Sequence, residues 1–106
     1  MIDIGRIAAA ALNQARTLLP AWLPEGRWDG VEWRCGDLSG SAGDSCAANS
    51  KTGMWCDFQT MESGRDLVSL YAAIHRLRQG EAAREVAEQI GMDTGDTTSP
   101  RRPPAP

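Results

Sequence analysis

The sequence predicts a small α+β domain: an N-terminal helix, a three-stranded antiparallel sheet and two C-terminal helices. Apolar residues recur every three or four positions in the first twenty residues and again after residue 66, a pattern that indicates amphipathic helices. Apolar and polar residues alternate in between, which indicates half-buried strands. The chain has 106 residues, of which 42% are hydrophobic, so it is long enough to build one modest core.

The first predicted element is a helix over residues 3–19. Asp3 is expected to cap its N-terminus, and Pro20 is expected to end it. Residues 20–30 contain two prolines and two glycines and are predicted to form a structured loop. The apolar side chains of this loop are expected to fold back over the core; they are Trp22, Leu23 and Trp28.

The predicted sheet consists of residues 31–35, 45–48 and 54–58. The segment between the last two strands has the composition of a hairpin turn, and residues 37–44 form a loop rich in glycine and serine. Trp33 and Trp55 are expected in the core of so small a domain. Trp22 and Trp28 are equally compatible with the core and with the surface.

The two C-terminal helices are predicted within residues 63–91. Ser63 and Asp66 approximate a capping box for the first helix. Gly80 is expected to separate the two helices, and Gly91 to cap the second. After residue 92 the chain has no apolar period and is rich in Asp, Thr, Ser, Pro and Arg. Residues 1–92 are therefore predicted to be the domain and residues 93–106 a disordered linker or tail, as in a fragment of a longer protein.

Composition and charge narrow the functional classes. The formal net charge is −3, which argues against a protein that coats nucleic acid by bulk attraction. Ten of the eleven cationic residues are arginine, which suits specific bidentate contacts. No apolar run has the length of a membrane span, and the N-terminus lacks the pattern of a signal peptide. Three cysteines, an odd number, favour a cytoplasmic protein without a disulfide framework.

The sequence contains no enzyme signature, so the domain is predicted to be non-catalytic. It has no phosphate-binding glycine loop and no nucleophile elbow, and the single histidine, His75, is expected on the surface. Two carboxylates are expected to have structural roles. Asp66 fits the charge at the start of a helix, and Asp57 fits an acceptor that anchors a loop.

The motifs in the second half of the chain resemble those of a known family. Gly53-Met-Trp-Cys-Asp-Phe is followed by Gly64-Arg-Asp-Leu and by Gly80-Glu-Ala-Ala. This order is similar to ligand-poor versions of the Cys-His-Cys-Cys zinc-ribbon domain at the N-terminus of DNA primases, as found in phage, plasmid and mobile-element primase–helicase proteins. The resemblance implies a zinc-ribbon-like sheet, and a DNA-binding, template-recognition module of a mobile-element replication protein.

The same resemblance bears on metal binding. It places Cys35 at the first zinc-ligand position and Cys56 near the third, whereas Leu38 and Gln59 occupy the second and fourth positions. Neither leucine nor glutamine suits zinc, so no cofactor is expected, and Cys35 and Cys56 are interpreted as small buried hydrophobic residues. A site made of all three cysteines and His75 is the alternative.

The candidate DNA-binding residues are the cations nearest the positions that match the family's template-reading ribbon, with one aromatic residue beside them. They are Arg27, Trp28, Arg34, Lys51 and Arg65. An aromatic residue flanked by arginine can hold single-stranded DNA by base stacking and phosphate contact. The expected partners are single-stranded DNA and other replication proteins or further domains of the same parent chain, with no membrane.

A second function fits the same residues. The domain can instead be a protein-interaction module that docks a primase, a helicase or a single-strand-binding partner without binding DNA. The acidic net charge favours this alternative, whereas the family resemblance favours DNA binding. The salt dependence of oligonucleotide binding distinguishes the two, since phosphate contacts release counterions.

Overall fold

The computed structural model describes residues 3–91, and over this range the protein has the predicted α+β class. The elements are helices α1 (Ile4–Leu12) and α2 (Ala15–Trp22), strands β1 (Arg27–Asp29), β2 (Glu32–Cys35), β3 (Cys46–Asn49), β4 (Trp55–Asp57) and β5 (Glu62–Gly64), and helices α3 (Leu67–His75) and α4 (Gln79–Gln89). The predicted tail, residues 93–106, lies outside the described residues.

The sheet has five antiparallel strands in the order β1-β2-β3-β4-β5. The sequence prediction is correct for the three central strands and wrong in omitting β1 and β5. Each omitted strand has three residues, too few to show an alternating pattern. β5 contains Gly64, where a Cβ atom would lie 2.5 Å from the Trp55 indole nitrogen, so only glycine lets this strand pass over the ring.

The N-terminal helix differs from its prediction. Asp3 caps α1 as expected, and its carboxylate accepts a hydrogen bond from the backbone amide of Arg6 at 3.0 Å. The prediction of a single helix over residues 3–19 is wrong. The Gln14 amide donates to the Ala11 carbonyl, three residues before it rather than four, and this interrupts the α-helical hydrogen-bond pattern. The end at Pro20 is also wrong, since Pro20 lies inside α2 and the helix continues to Trp22.

The C-terminal helices begin and end at residues other than those predicted. Asp66 is the N-cap of α3, and its carboxylate accepts a hydrogen bond from a first-turn amide at 2.7 Å. The Ser63 capping box is wrong, because Ser63 lies in β5. Helix α3 ends at Arg76, which adopts the left-handed conformation with φ of 56°, whereas Gly80 lies in the first turn of α4. Gly91 follows α4 with φ of +74°, as expected for a residue after a helix end.

One face of the sheet packs against the helices and forms the core. Trp33 and Trp55 lie there as expected, with 7% and 5% of their surface exposed, and Trp22 and Trp28 are half-buried against it. On the opposite face every strand residue is exposed or half-buried. This second face, called the outer face, consists of Arg27, Asp29, Glu32, Arg34, Ala47, Asn49, Cys56 and Ser63.

Tyr71 links α2, α3 and α4 and can be followed by titration because it is the only tyrosine. Its ring lies 5.0 Å from that of Trp22, and its hydroxyl donates to the Glu85 carboxylate at 2.7 Å. Burial, together with the Glu85 hydrogen bond, raises the pKa of Tyr71 to about 12. A raised pKa means that the neutral phenol stabilises the fold. This contribution to stability is complete below the ordinary tyrosine pKa of about 10. It is lost as the pH rises through the pKa of Tyr71 in the folded protein.

We therefore expect the tyrosinate absorbance of the folded protein to appear with a midpoint near pH 12. Replacing Glu85 by glutamine should lower this midpoint, because the glutamine side chain carries no negative charge. Circular dichroism recorded on the same samples shows whether the protein is still folded at each pH. A midpoint near the ordinary value of about 10 in folded protein would contradict the packing of Tyr71 described here.

Candidate functional site

The sheet separates Cys56 from the other two cysteines. Cys35 is fully buried on the core side of the sheet, whereas Cys56 is half-buried on the outer face, so the two side chains point away from each other. His75 packs its ring 4.3 Å from that of Tyr71 on α3. Within residues 3–91 no group of three or more His, Cys, Asp or Glu side chains is placed to hold a metal ion. The residues at the family's ligand positions therefore do not fit a tetrahedral zinc site.

The loops that would carry zinc ligands are joined instead by hydrogen bonds to Asp57. One Asp57 carboxylate oxygen accepts from the Leu38 amide at 3.2 Å, and the other accepts from the Gln59 amide at 2.8 Å. The Gln59 side chain donates to the Gly36 carbonyl at 2.8 Å. Asp57 is fully buried, and the prediction that it anchors a loop is confirmed. We call these three hydrogen bonds the Asp57 clamp.

Two of the predicted DNA-binding cations are paired with carboxylates. Arg27 lies opposite Arg34 in the β1–β2 register, on the outer face. The Arg34 guanidinium contacts the Asp29 and Glu32 carboxylates at 3.1 and 2.9 Å, and Arg27 forms an ion pair with Asp44. Three carboxylates therefore surround two cations, so this part of the face carries no net positive charge to attract a phosphate backbone.

Trp28 does not present a free stacking surface. It lies opposite Trp33 on the core side of the sheet, and the two rings meet edge to face at 5.1 Å. The guanidinium of Arg16 lies 4.7 Å from the centre of the Trp28 ring. A nucleic-acid base would have to displace Arg16 to stack there, and it would lose the cation–π contact.

The remaining two predicted residues, Lys51 and Arg65, are exposed and lie at a different part of the sheet. Gly53 lies in the turn of the β3–β4 hairpin, and a Cβ atom added to it would lie 3.3 Å from the Arg65 carbonyl oxygen. The hairpin turn is therefore next to the start of α3. Arg27 and Arg34 belong to β1 and β2, at the other edge. The five predicted residues therefore do not form one continuous basic patch.

The outer face instead carries an apolar surface that sequence reasoning missed. Met54, Phe58 and Met61 are the exposed large hydrophobic side chains within residues 3–91, with 58%, 63% and 77% of their surface exposed. Met54 and Phe58 flank β4 and alternate with the buried Trp55 and Asp57, so they share the outer face with Cys56. Met61 lies in the turn between β4 and β5. We call Met54, Cys56, Phe58 and Met61 the apolar strip.

Met61 has a backbone conformation that its side chain does not explain. It lies between β4 and β5 with φ of +62°, the left-handed region that favours glycine or asparagine. The turn conformation favours glycine or asparagine over methionine. Core packing does not explain the methionine either, because its side chain is mostly exposed to solvent. A strained backbone and an exposed apolar side chain at one position together mark a candidate contact residue.

The apolar strip left only a weak signal in the sequence. Met54 to Phe58 carries apolar residues on both faces of the strand, and Trp55 correctly identifies the core side. The helices of so short a chain can cover only one face of a sheet. Apolar residues on both faces of this strand therefore indicate an exposed apolar surface, and the search for alternating apolar and polar residues does not detect it.

Comparisons of the chain with protein-family models, with curated proteins and with solved structures find no match. Among residues 3–91, no helix is both long enough and apolar enough to cross a membrane. The surface chemistry of the outer face is therefore the basis for assigning a function.

Proposed function

We propose that this chain is a non-catalytic protein-interaction module of a mobile-element replication protein. It docks a primase, a helicase or a single-strand-binding partner through the apolar strip. The replication context rests on the motifs that resemble primase zinc ribbons. The docking mode rests on one observation, the exposure of Met54 and Phe58, which flank β4, and of Met61 in the turn that follows β4.

The composition of the strip supports a protein partner. Methionine and phenylalanine are enriched in the buried cores of protein interfaces, and methionine adapts its shape to a partner surface. Fully burying one such side chain contributes about 1.5–3 kcal/mol. Burying the three exposed members would therefore provide a substantial share of a micromolar affinity, which corresponds to about 8 kcal/mol.

The charge arrangement supports the same conclusion for this face. Arg27 and Arg34 would have to leave the carboxylates of Asp44, Asp29 and Glu32 before they could contact phosphate. This rearrangement would offset part of any gain from a phosphate contact. Single-stranded DNA remains the alternative ligand for the exposed Lys51 and Arg65, as the resemblance implies.

The salt dependence of binding tests the proposal. We expect weak binding of a labelled single-stranded oligonucleotide, with a slope of log affinity against log salt no steeper than about −1.4, because two phosphate contacts contribute about 0.7 each. The affinity for a purified replication partner should change little between about 50 and about 200 mM salt, since apolar burial is not screened.

A charge-removing control identifies the residues that any DNA contact uses. Arg27→Gln with Arg34→Gln should leave oligonucleotide binding unchanged, whereas Lys51→Gln with Arg65→Gln should reduce it. Tight oligonucleotide binding with a slope steeper than about −2 that is lost in the Arg27/Arg34 variant would contradict the proposal. It would assign the outer face to DNA.

A further inference from the structure

Cys35 and Cys46 lie directly opposite each other in neighbouring strands. They are register partners in the β2–β3 pair, both are free thiols, and both are completely buried on the core side. The two thiols thus adjoin each other on one face of the sheet, and the Cys35 thiol donates a hydrogen bond to the Asp37 carbonyl at 3.2 Å. The two sulfur atoms are therefore side by side without an intervening residue.

We propose that Cys35 and Cys46 form an oxidation site, in which a peroxide converts the two thiols into an intramolecular disulfide that stabilises the β2–β3 pair. Directly opposite residues of antiparallel strands have Cα atoms about 4.5–5.5 Å apart, within the range of about 4.4–6.8 Å that disulfides require. Cys56 lies on the outer face and cannot replace either partner without reversal of its strand. The proposal is independent of the proposed docking function.

The environments of the two thiols assign them different roles in the reaction. The adjacent Cys46 thiol lowers the pKa of Cys35 from its ordinary value, so Cys35 is the thiol that ionises first. The adjacent Cys35 thiol, together with burial, raises the pKa of Cys46, which therefore keeps its proton. Cys35 is accordingly the attacking sulfur, and Cys46 is the resolving thiol.

The reaction balances in two steps. The Cys35 thiolate attacks one peroxide oxygen, the O–O bond breaks, and the departing hydroxide takes a proton from solvent and becomes water. The sulfur of Cys46 then attacks the resulting sulfenic acid at the Cys35 sulfur. The S–S bond forms, the S–O bond breaks, and the second hydroxide leaves as water with the Cys46 proton. The two cysteines lose two electrons in total, and the peroxide gains them.

The bridge would close the loop of residues 36–45. Closing a loop of this length restricts the unfolded chain and is expected to raise the melting temperature by roughly 10 °C in a domain of this size. Both thiols are completely buried, so the loop must open for peroxide to enter. The reaction should therefore be slower than that of a fully exposed thiol.

Tryptic mapping of the full chain after hydrogen peroxide treatment tests the proposal. Cleavage after Arg34 and Lys51 leaves Cys35 and Cys46 in one peptide, residues 35–51, and Cys56 in the next, residues 52–65. After alkylation of the remaining thiols in denaturant, peptide 35–51 is expected to carry no alkyl group and to have lost two hydrogen atoms. Two alkyl groups on peptide 35–51, or a cross-link between the two peptides, would overturn the proposal.

Melting curves provide the second measurement. The oxidised wild-type protein and the oxidised Cys56→Ser variant should both melt above their reduced forms, whereas Cys46→Ala should show no such rise. If Cys46→Ala does not fold, the comparison of the wild-type protein with Cys56→Ser decides the matter. A bridged wild-type protein that melts at or below the reduced protein would overturn the stabilising role.

Discussion

Replacing Asp57 by alanine is expected to lower the free energy of unfolding by about 3 kcal/mol, which corresponds to a fall in melting temperature of roughly 15 °C. The substitution removes both carboxylate acceptors and leaves the amides of Leu38 and Gln59 unpaired. A hydrogen bond to a charged group contributes about 1.5–3 kcal/mol, and a buried donor without an acceptor is costly. Denaturant unfolding under reducing conditions measures the change.

Two further variants separate the Asp57 clamp from general effects of charge. Asp57→Asn keeps one acceptor oxygen and should lose about half as much stability. Asp44→Ala removes an exposed carboxylate and should change stability by about 0.5 kcal/mol or less. Addition of a chelator should leave all of these curves unchanged. An Asp57→Ala protein as stable as the wild type, or a wild-type protein that unfolds on chelation, would show that the Asp57 clamp does not hold the two loops together.

The double substitution Phe58→Ser with Met61→Ser is expected to weaken partner binding by roughly 100-fold. Central apolar contacts that become buried in an interface typically cost 1–2 kcal/mol or more each when truncated. The fold should tolerate the change, because both side chains are mostly exposed and surface substitutions usually shift stability by about 0.5 kcal/mol or less. Isothermal titration with the purified partner measures the affinity, and a thermal melt checks the fold.

Ala9→Ser provides the matched control, because Ala9 is an exposed apolar residue on α1 rather than on the sheet. It should bind the partner as the wild type does. Sedimentation of the wild-type protein alone tests whether the apolar strip pairs with a second copy of the chain. Self-association that the double variant abolishes, with unchanged binding to a replication partner, would make the strip a dimer contact and contradict the proposed docking mode.

β2 could be predicted because its side chains alternate, and β3 and β4 could be predicted because they flank a segment with the composition of a hairpin turn. Trp33 and Trp55 mark the core side of β2 and β4. The edge strands could not be predicted in this way. β1 and β5 have three residues each, and they are stabilised by pairing with β2 and β4. They therefore form because of tertiary contacts. The helix boundaries predicted from Pro20 and Gly80 were wrong, because both residues lie inside helices. Tertiary packing can override the local preference of such residues for helix ends.

The ion pairs of the candidate DNA-binding residues could be predicted only in part. Glu32 and Arg34 lie two residues apart on β2, so strand alternation alone sets them on one face. Asp29 comes beside Arg34 only through the pairing of β1 with β2, and β1 is a strand that the sequence pattern does not reveal. The Asp57 clamp was easier to anticipate, because a lone aspartate in an apolar strand needs partners for its carboxylate.

Chemical-shift mapping of backbone amides tests the docking proposal most directly. The labelled protein would be titrated with a purified replication partner and, separately, with a single-stranded oligonucleotide. We expect the partner to shift the amides of β4, Phe58, Met61 and β5, and the oligonucleotide to leave those amides unchanged. Oligonucleotide-induced shifts along β1 and β2, centred on Arg27 and Arg34, with no partner-induced shifts at Phe58 and Met61, would contradict it.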